Sequence, residues 1–268
     1  MAERPLHALL AEARVYDLEQ PRFQGAPTFP AHEPGFVLAL HRRHEPGGGE
    51  PRTSASALLT MAEHSGTHID AFCHQAVHMR MHGGVAVDPA VQTSRGFTRL
   101  GADEIPPLCA RGVLLDLPAL GAVPHHVPAE HLARAAAAHG EPRPGDVVLV
   151  RTGNGAHWED RARYEGGPGI APSASRWLAE RQPLAVGADN LAWDLPDCHD
   201  PELGCTLPGH VILLVRAGVY ILENLNLESL ARDGVHEFAF ICLPLKMRGA
   251  TGSPVRPVAM VEKGGAGR

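Results

Sequence analysis

The chain has 268 residues, 44% of them hydrophobic and 20% charged, a composition that describes a soluble globule able to bury a full core in one domain. A formal net charge of -6 and only 5% aromatic residues argue against a nucleic-acid or membrane-surface partner, which basic patches and stacking rings would serve. Five scattered cysteines (Cys73, Cys109, Cys198, Cys205, Cys242) form no Cys-x-x-Cys pair, so neither a disulfide framework nor a thiolate zinc site is expected.

Residues 1–14 read as an N-terminal arm. Residues 1–19 carry acidic side chains and no continuous apolar run, so a signal peptide is not expected, and a cytoplasmic setting is the expectation. Residues 45–51, Glu-Pro-Gly-Gly-Gly-Glu-Pro, are a loop by composition. Residues 54–61 predict a strand leading into a histidine-rich segment. The runs 112–117 and 146–151 are short, apolar and bounded by turn signals, as buried strands are. Between them the alanine-rich 129–139 predicts a helix. A second helix is expected over 173–181, capped by Ser173 or Ser175. Further strands are expected at 184–188, ending at Asp189, and at 219–222 and 237–243. Strands interleaved with helices predict a mixed α/β core. The longest apolar stretch, 211–222, is broken by Arg216 and too short to span a bilayer. The end, about 262–268, is expected to fray.

Residues 64–74 read His-Ser-Gly-Thr-His-Ile-Asp-Ala-Phe-Cys-His. On an extended strand His68 and Asp70 leave the same face. His64 shares their parity if the strand continues backwards, although Ser65-Gly66-Thr67 is poor helix material and Gly66 can bend the chain towards an ion. His74 lies four beyond Asp70 and could turn back over the same site. With 17 histidines in the chain, pairs such as His41 and His44, or His78 and His82, arise by chance; the full pattern with Gly-Thr inside is far more specific. Neutral imidazole and carboxylate are ligands for zinc and manganese, so a divalent metal site is predicted here. Two residues elsewhere could complete it. Glu223 ends an apolar run, where a carboxylate is costly unless paired or metal-bound, and His210 precedes another. From spacing alone each also admits a structural role. His-Glu at 32–33, 44–45 and 236–237 lacks the second histidine of a His-Glu-x-x-His protease.

The pattern His64-x-Gly66-Thr67-His68-x-Asp70-x-x-x-His74 resembles that of the metal-dependent cyclase superfamily, which includes bacterial kynurenine formamidases and isatin hydrolases. Leu207-Pro208-Gly209-His210, the stretch 218–227, Pro244-Leu245-Lys246 and the stretch 249–257 are similar too. The resemblance implies a swivelling β/β/α domain of the α/β class, usually a homodimer or homotetramer, with a small-molecule substrate and one or two Mn²⁺ or Zn²⁺ ions per chain. It implies that His64, His68 and Asp70 hold one ion, that Asp70 bridges to a second completed by His210 and Glu223, and that His74 moves the proton. Two departures stand out. Phe72 occupies the place of the proline in the usual Asp-x-Pro-x-His, and the interval from His210 to Glu223 is 13, one longer than expected for kynurenine formamidases. Both lean towards the isatin-hydrolase-like branch.

The implied activity is opening of a cyclic amide or N-acyl, formamide-type amide by a metal-activated water. Lactone hydrolysis or dehydrating cyclisation is the alternative within the same chemistry. A non-catalytic metal- or ligand-binding protein is a third reading, against which the six retained polar groups argue. Phe72, Trp193 and Phe29 are the candidates to hold a flat substrate ring, Phe72 foremost because it lies inside the motif. Cys73 is expected to be packing.

Overall fold

Residues 147–151, 185–188 and 220–223 are almost wholly buried from end to end rather than alternately, as strands in the middle of a sheet covered on both faces must be. The computed structural model describes residues 5–46 and 49–263. Part of the expected loop (47–48) and most of the expected frayed tail (264–268) lie outside the described residues. In chain order the elements are α1 (Leu6–Ala11), β1 (Ala13–Asp17), β2 (Phe36–Arg42), β3 (Ser56–Met61), β4 (His68–Asp70), β5 (Leu108–Asp116), α2 (Ala129–His139), β6 (Val147–Arg151), α3 (Pro172–Ala179), β7 (Ala185–Ala188), α4 (Pro208–His210, continued by a π-helix over Val211–Ala217), β8 (Tyr220–Glu223), β9 (Glu237–Cys242), β10 (Gly252–Pro254) and β11 (Val258–Glu262).

One nine-stranded sheet runs in the order β1-β11-β9-β5-β6-β7-β8-β4-β10. Its centre, β5 to β8, is parallel. Antiparallel strands extend it on both sides. The class is therefore mixed α/β, as the interleaved pattern predicts. Alternate side chains of the central strands feed two apolar layers. Leu114, Leu149 and Leu222 face one with Phe238 and Phe240. Val113, Leu115, Val148, Val150 and Val186 face the other, where α2, α3 and the π-helix lay down Leu132, Leu178 and Leu213. Burying one such side chain contributes roughly 1.5–3 kcal/mol, so the central strands are held from both sides.

Strands β1 and β11, near the two ends of the described residues, pair at one sheet edge. Ala13 pairs with Glu262 and Arg14 with Val261, so the close of the expected arm and the start of the expected tail form a paired ribbon. One local expectation fails. Helix α3 has no serine cap: Pro172 takes its first turn after Ala171, with no side-chain cap. Proline's fixed φ pre-forms that turn without a capping hydroxyl. Ser173 Oγ instead accepts from the Ala129 N–H at 3.3 Å, and Ser175 Oγ lies inside the helix, bonded to the Ala171 carbonyl.

Candidate metal centre

Strand β4 is only three residues long, and its alternation does the positioning. Ile69 is fully buried in the apolar layer, while His68 and Asp70 leave the opposite face. On β8, Leu222 lies opposite Ile69 and Glu223 opposite His68, so Glu223 faces the same side as the two β4 ligand candidates. The strand does not continue back to His64. Gly66 turns the chain with φ +60°, a left-handed conformation that glycine adopts without strain. Arg22 clamps this turn from outside, donating to the carbonyls of Ser65 and Thr67. The turn swings His64 beside Asp70, where Gly252 leaves room for it: a Cβ at that glycine would stand 2.6 Å from His64 Cε1. His74 returns on a short 3₁₀ turn, its ring 4.0 Å from that of His64. Helix α4 delivers His210.

The imidazoles are oriented by what holds their far nitrogens. His68 Nδ1 sits 2.8 Å from the Gly66 carbonyl. That oxygen can only accept, so Nδ1 carries the proton. The lone pair on Nε2 then faces Asp70 Oδ1 at 3.5 Å and Glu223 Oε2 at 3.4 Å. His210 repeats the arrangement. Its Nδ1–H donates to Asp194 Oδ2 at 2.8 Å, and Nε2 faces Glu223 Oε1 at 3.3 Å and Asp70 Oδ2 at 3.6 Å. An acceptor behind each ring and a bare nitrogen in front is how metal-binding histidines are held. Glu223 Oε1 is itself fixed by the backbone N–H of Trp193 at 2.7 Å.

One atom tests whether a cation belongs here. Asp70 Oδ2 is buried and has no hydrogen-bond partner, a costly state for a carboxylate oxygen. It is surrounded by ligand atoms. Asp70, His210 and Glu223 offer ligand atoms within 4.8 Å of one another, and His64 and His74 join Asp70 in a second such group. Nitrogen and oxygen donors in this number fit a divalent ion such as zinc or manganese. The grouping differs in detail from that implied by the resemblance. His74 stands with His64 and Asp70, while His68 aims its free nitrogen at Asp70 and Glu223.

Electrostatics sharpen the picture. Burial alone would raise Asp70, but the neighbouring His74, His64 and His68 more than offset it and hold its carboxyl well below the usual range. Burial disfavours the charged form of His210, yet Asp194 and Glu223 hold its pKa well above the ordinary histidine value. Burial pushes His74 down to about 3, against the pull of Asp70 and aided by His64 and His210. At neutral pH His74 is therefore uncharged and has a lone pair to offer.

Two cavities border the cluster. The inner one, of about 30 Å³, is lined by His64, His68, His74, His210 and Glu223 together with Phe29, His32, Gln75, Ala192 and Leu207. The outer one, of about 560 Å³, shares His32, His64 and His74 with it and opens past Met61, Ala62, Glu63, Met247, Thr251 and Pro254. Phe29 lines the inner cavity. Phe72 and Trp193 do not line either cavity. The Phe72 ring stacks on Tyr220 at 4.2 Å and meets His82 at 4.7 Å, because it leaves the chain towards the apolar layers rather than the ligands. Trp193 is fully buried, its indole N–H bonded to Ser175 Oγ at 2.9 Å; it serves the site through its backbone. His32, Glu63, Thr251 and Asp194 were not anticipated. Glu63 directly precedes the motif in sequence, whereas only chain folding brings His32, Thr251 and Asp194 near it.

The Cyclase family model matches residues 16–195. The chain belongs to the Cyclase family. Among similar proteins, the kynurenine formamidase of Bordetella avium (strain 197N) is 30% identical over 250 residues, covering 91% of this chain and 97% of that one. The isatin hydrolase of Roseibium aggregatum is 29% identical over 219 residues, covering 76% of this chain and 74% of that one. A solved structure described as a novel cyclase superposes with a TM-score of 0.81 at 28% identity, over 94% of this chain and 88% of that one. The α/β cyclase fold is thereby confirmed. Among the described residues no helix is long and apolar enough to cross a membrane.

Proposed function

We propose that this Cyclase-family hydrolase opens a small cyclic amide, or cleaves an N-acyl amide of the formamide type, at a centre built from His64, His68, Asp70, His210 and Glu223. The single observation carrying the reading is the orphaned Asp70 Oδ2, buried among imidazole and carboxylate groups whose free atoms converge on it. A divalent ion bound there would supply Lewis acidity towards the substrate carbonyl and a water of lowered pKa. The chain supplies the rest. Asp194 and the Gly66 carbonyl fix the two rings whose lone pairs face inward. His74, uncharged and lining both cavities, accepts a proton and returns it to the leaving nitrogen, work worth about 10²–10⁴-fold in rate. The inner cavity has room for about one small group, so it admits the reacting carbonyl. The outer cavity has the volume of a small-molecule pocket. Relatives named kynurenine formamidase and isatin hydrolase support the reaction type.

The test is elemental analysis of protein purified without chelator, beside Asp70→Ala, followed by a panel of isatin, N-formylkynurenine, cyclic imides and aryl lactones. Zinc or manganese near one or two per chain, absent from the variant, with turnover of an amide, is the expected result. Protein that takes up no metal even on reconstitution would sink the proposal.

A further inference from the structure

The outer cavity carries a fixed charge that the chemistry at the metal centre does not use. Glu63 precedes the first histidine of the motif and lines this cavity with a side chain 31% exposed. Its Oε1 does not swing free. It accepts from the Thr251 N–H at 2.8 Å and from the Thr251 hydroxyl, and it stands 3.8 Å from His64 Nε2. Thr251 Oγ1 is in turn 2.8 Å from that same nitrogen. The carboxylate is therefore pinned in the wall of the outer cavity, beside His64 of the centre. Among the described residues lining the outer cavity there is no lysine or arginine to balance it.

We propose that Glu63 selects substrates by charge: the outer cavity accepts amides that are neutral or bear an ammonium group, and turns away those bearing a carboxylate. This deepens the amide-hydrolase reading and rests on it for the reaction, but not for the binding. A second anion brought within several ångströms of a partly screened carboxylate is disfavoured by roughly tenfold or more. An ammonium group gains by a similar mechanism, and the N–H of a neutral amide can donate to the carboxylate.

Three probes share the formanilide core and differ in the charge of the para substituent: formanilide, 4-formamidobenzoate and 4-(aminomethyl)formanilide. With metal-loaded enzyme, both kcat/KM and calorimetric affinity are expected to fall from the ammonium and neutral probes to the anionic one, the anion lagging by roughly tenfold. Glu63→Gln, which keeps an oxygen for Thr251, should collapse that ratio. If the variant misfolds, the wild-type ratio measured from low to high salt serves instead, because screening should shrink it. A carboxylate probe that binds as well as formanilide, a ratio unmoved by Glu63→Gln or by salt, or no binding of any probe would overturn the inference. Probes that bind in the expected order but are not hydrolysed would count against the amide-hydrolase reading and leave the charge selection standing. Probes hydrolysed without regard to charge would do the reverse.

Discussion

Replacing Asp194 by asparagine should weaken metal binding without touching a ligand. Asp194 is buried and takes three hydrogen bonds: from the Gly209 N–H at 2.7 Å on Oδ1, and from the His210 N–H at 3.1 Å and His210 Nδ1 at 2.8 Å on Oδ2. Asparagine has one acceptor oxygen for these three donors. Whichever way its amide turns, an NH₂ group meets an N–H. If the oxygen stays with Gly209, His210 Nδ1–H loses its acceptor, and the ring gains by moving its proton to Nε2. That nitrogen is the one facing Glu223 and Asp70, so the lone pair leaves the centre. A hydrogen bond to a charged group contributes about 1.5–3 kcal/mol, and losing the partner behind a metal-binding histidine costs about 10–100-fold in affinity. Zinc competition against a chromophoric chelator near neutral pH should show a Kd raised by about 10–100-fold. The rise in Tm on adding metal should shrink in step, because that rise follows the logarithm of free metal over Kd. A variant that melts like the wild type without metal, and binds zinc within about threefold of it, would refute the argument that Asp194 orients His210.

Three other outcomes follow from the same geometry. His74→Ala should keep its metal and lose about 10²–10⁴-fold in kcat; elemental analysis showing the metal gone would make His74 a ligand instead, as its place beside His64 and Asp70 permits. Trp193→Phe should lower stability by about 1–3 kcal/mol, by depriving Ser175 Oγ of the indole donor, yet leave KM within about threefold, since the ring lines neither cavity; a raised KM at unchanged Tm would put the ring in the pocket. Metal affinity should fall with decreasing pH: the carboxylates around His68 and His210 outweigh burial and raise both pKa values, so protons compete from above the ordinary histidine value of about 6.5 downward. Chelator competition between weakly alkaline and weakly acidic buffer reads this, and a flat profile would contradict it.

Much of the sheet is legible in the sequence because its central strands are short apolar runs between turns. Residues 147–151, 185–188 and 220–223 need no partner information to be recognised as buried, and α2 falls on 129–139 because alanine prefers helix. The edge strands are less readable. β1 alternates weakly and β10 is Gly-Ser-Pro, a poor strand by propensity; each exists through its pairing with a neighbour. At the site, the spacing of His64, His68, Asp70 and His74 is a local signal, and these side chains do converge. The supporting residues are not local. Asp194 lies 16 residues from His210, and Thr251 lies 187 from His64, so no periodicity announces them. The aromatic candidates fail for a related reason: Phe72 and Trp193 have the right chemistry for a flat ligand, but only the packed layers reveal that their rings face inward.

Strand β4 couples the apolar core to the reactive centre through parity. Three residues cannot hold their own register by hydrogen bonding, and a slip of one position would exchange the two faces, sending His68 and Asp70 into the hydrocarbon layer and Ile69 to the centre. What forbids the slip is Ile69, lodged opposite Leu222 and Ser253 in the sheet. The fidelity of the ligand set thus depends on a residue with no polar atom in its side chain. A search for inactivating substitutions confined to histidines and carboxylates would miss it: a polar residue at Ile69 could leave every ligand in the sequence and still leave none of them correctly placed.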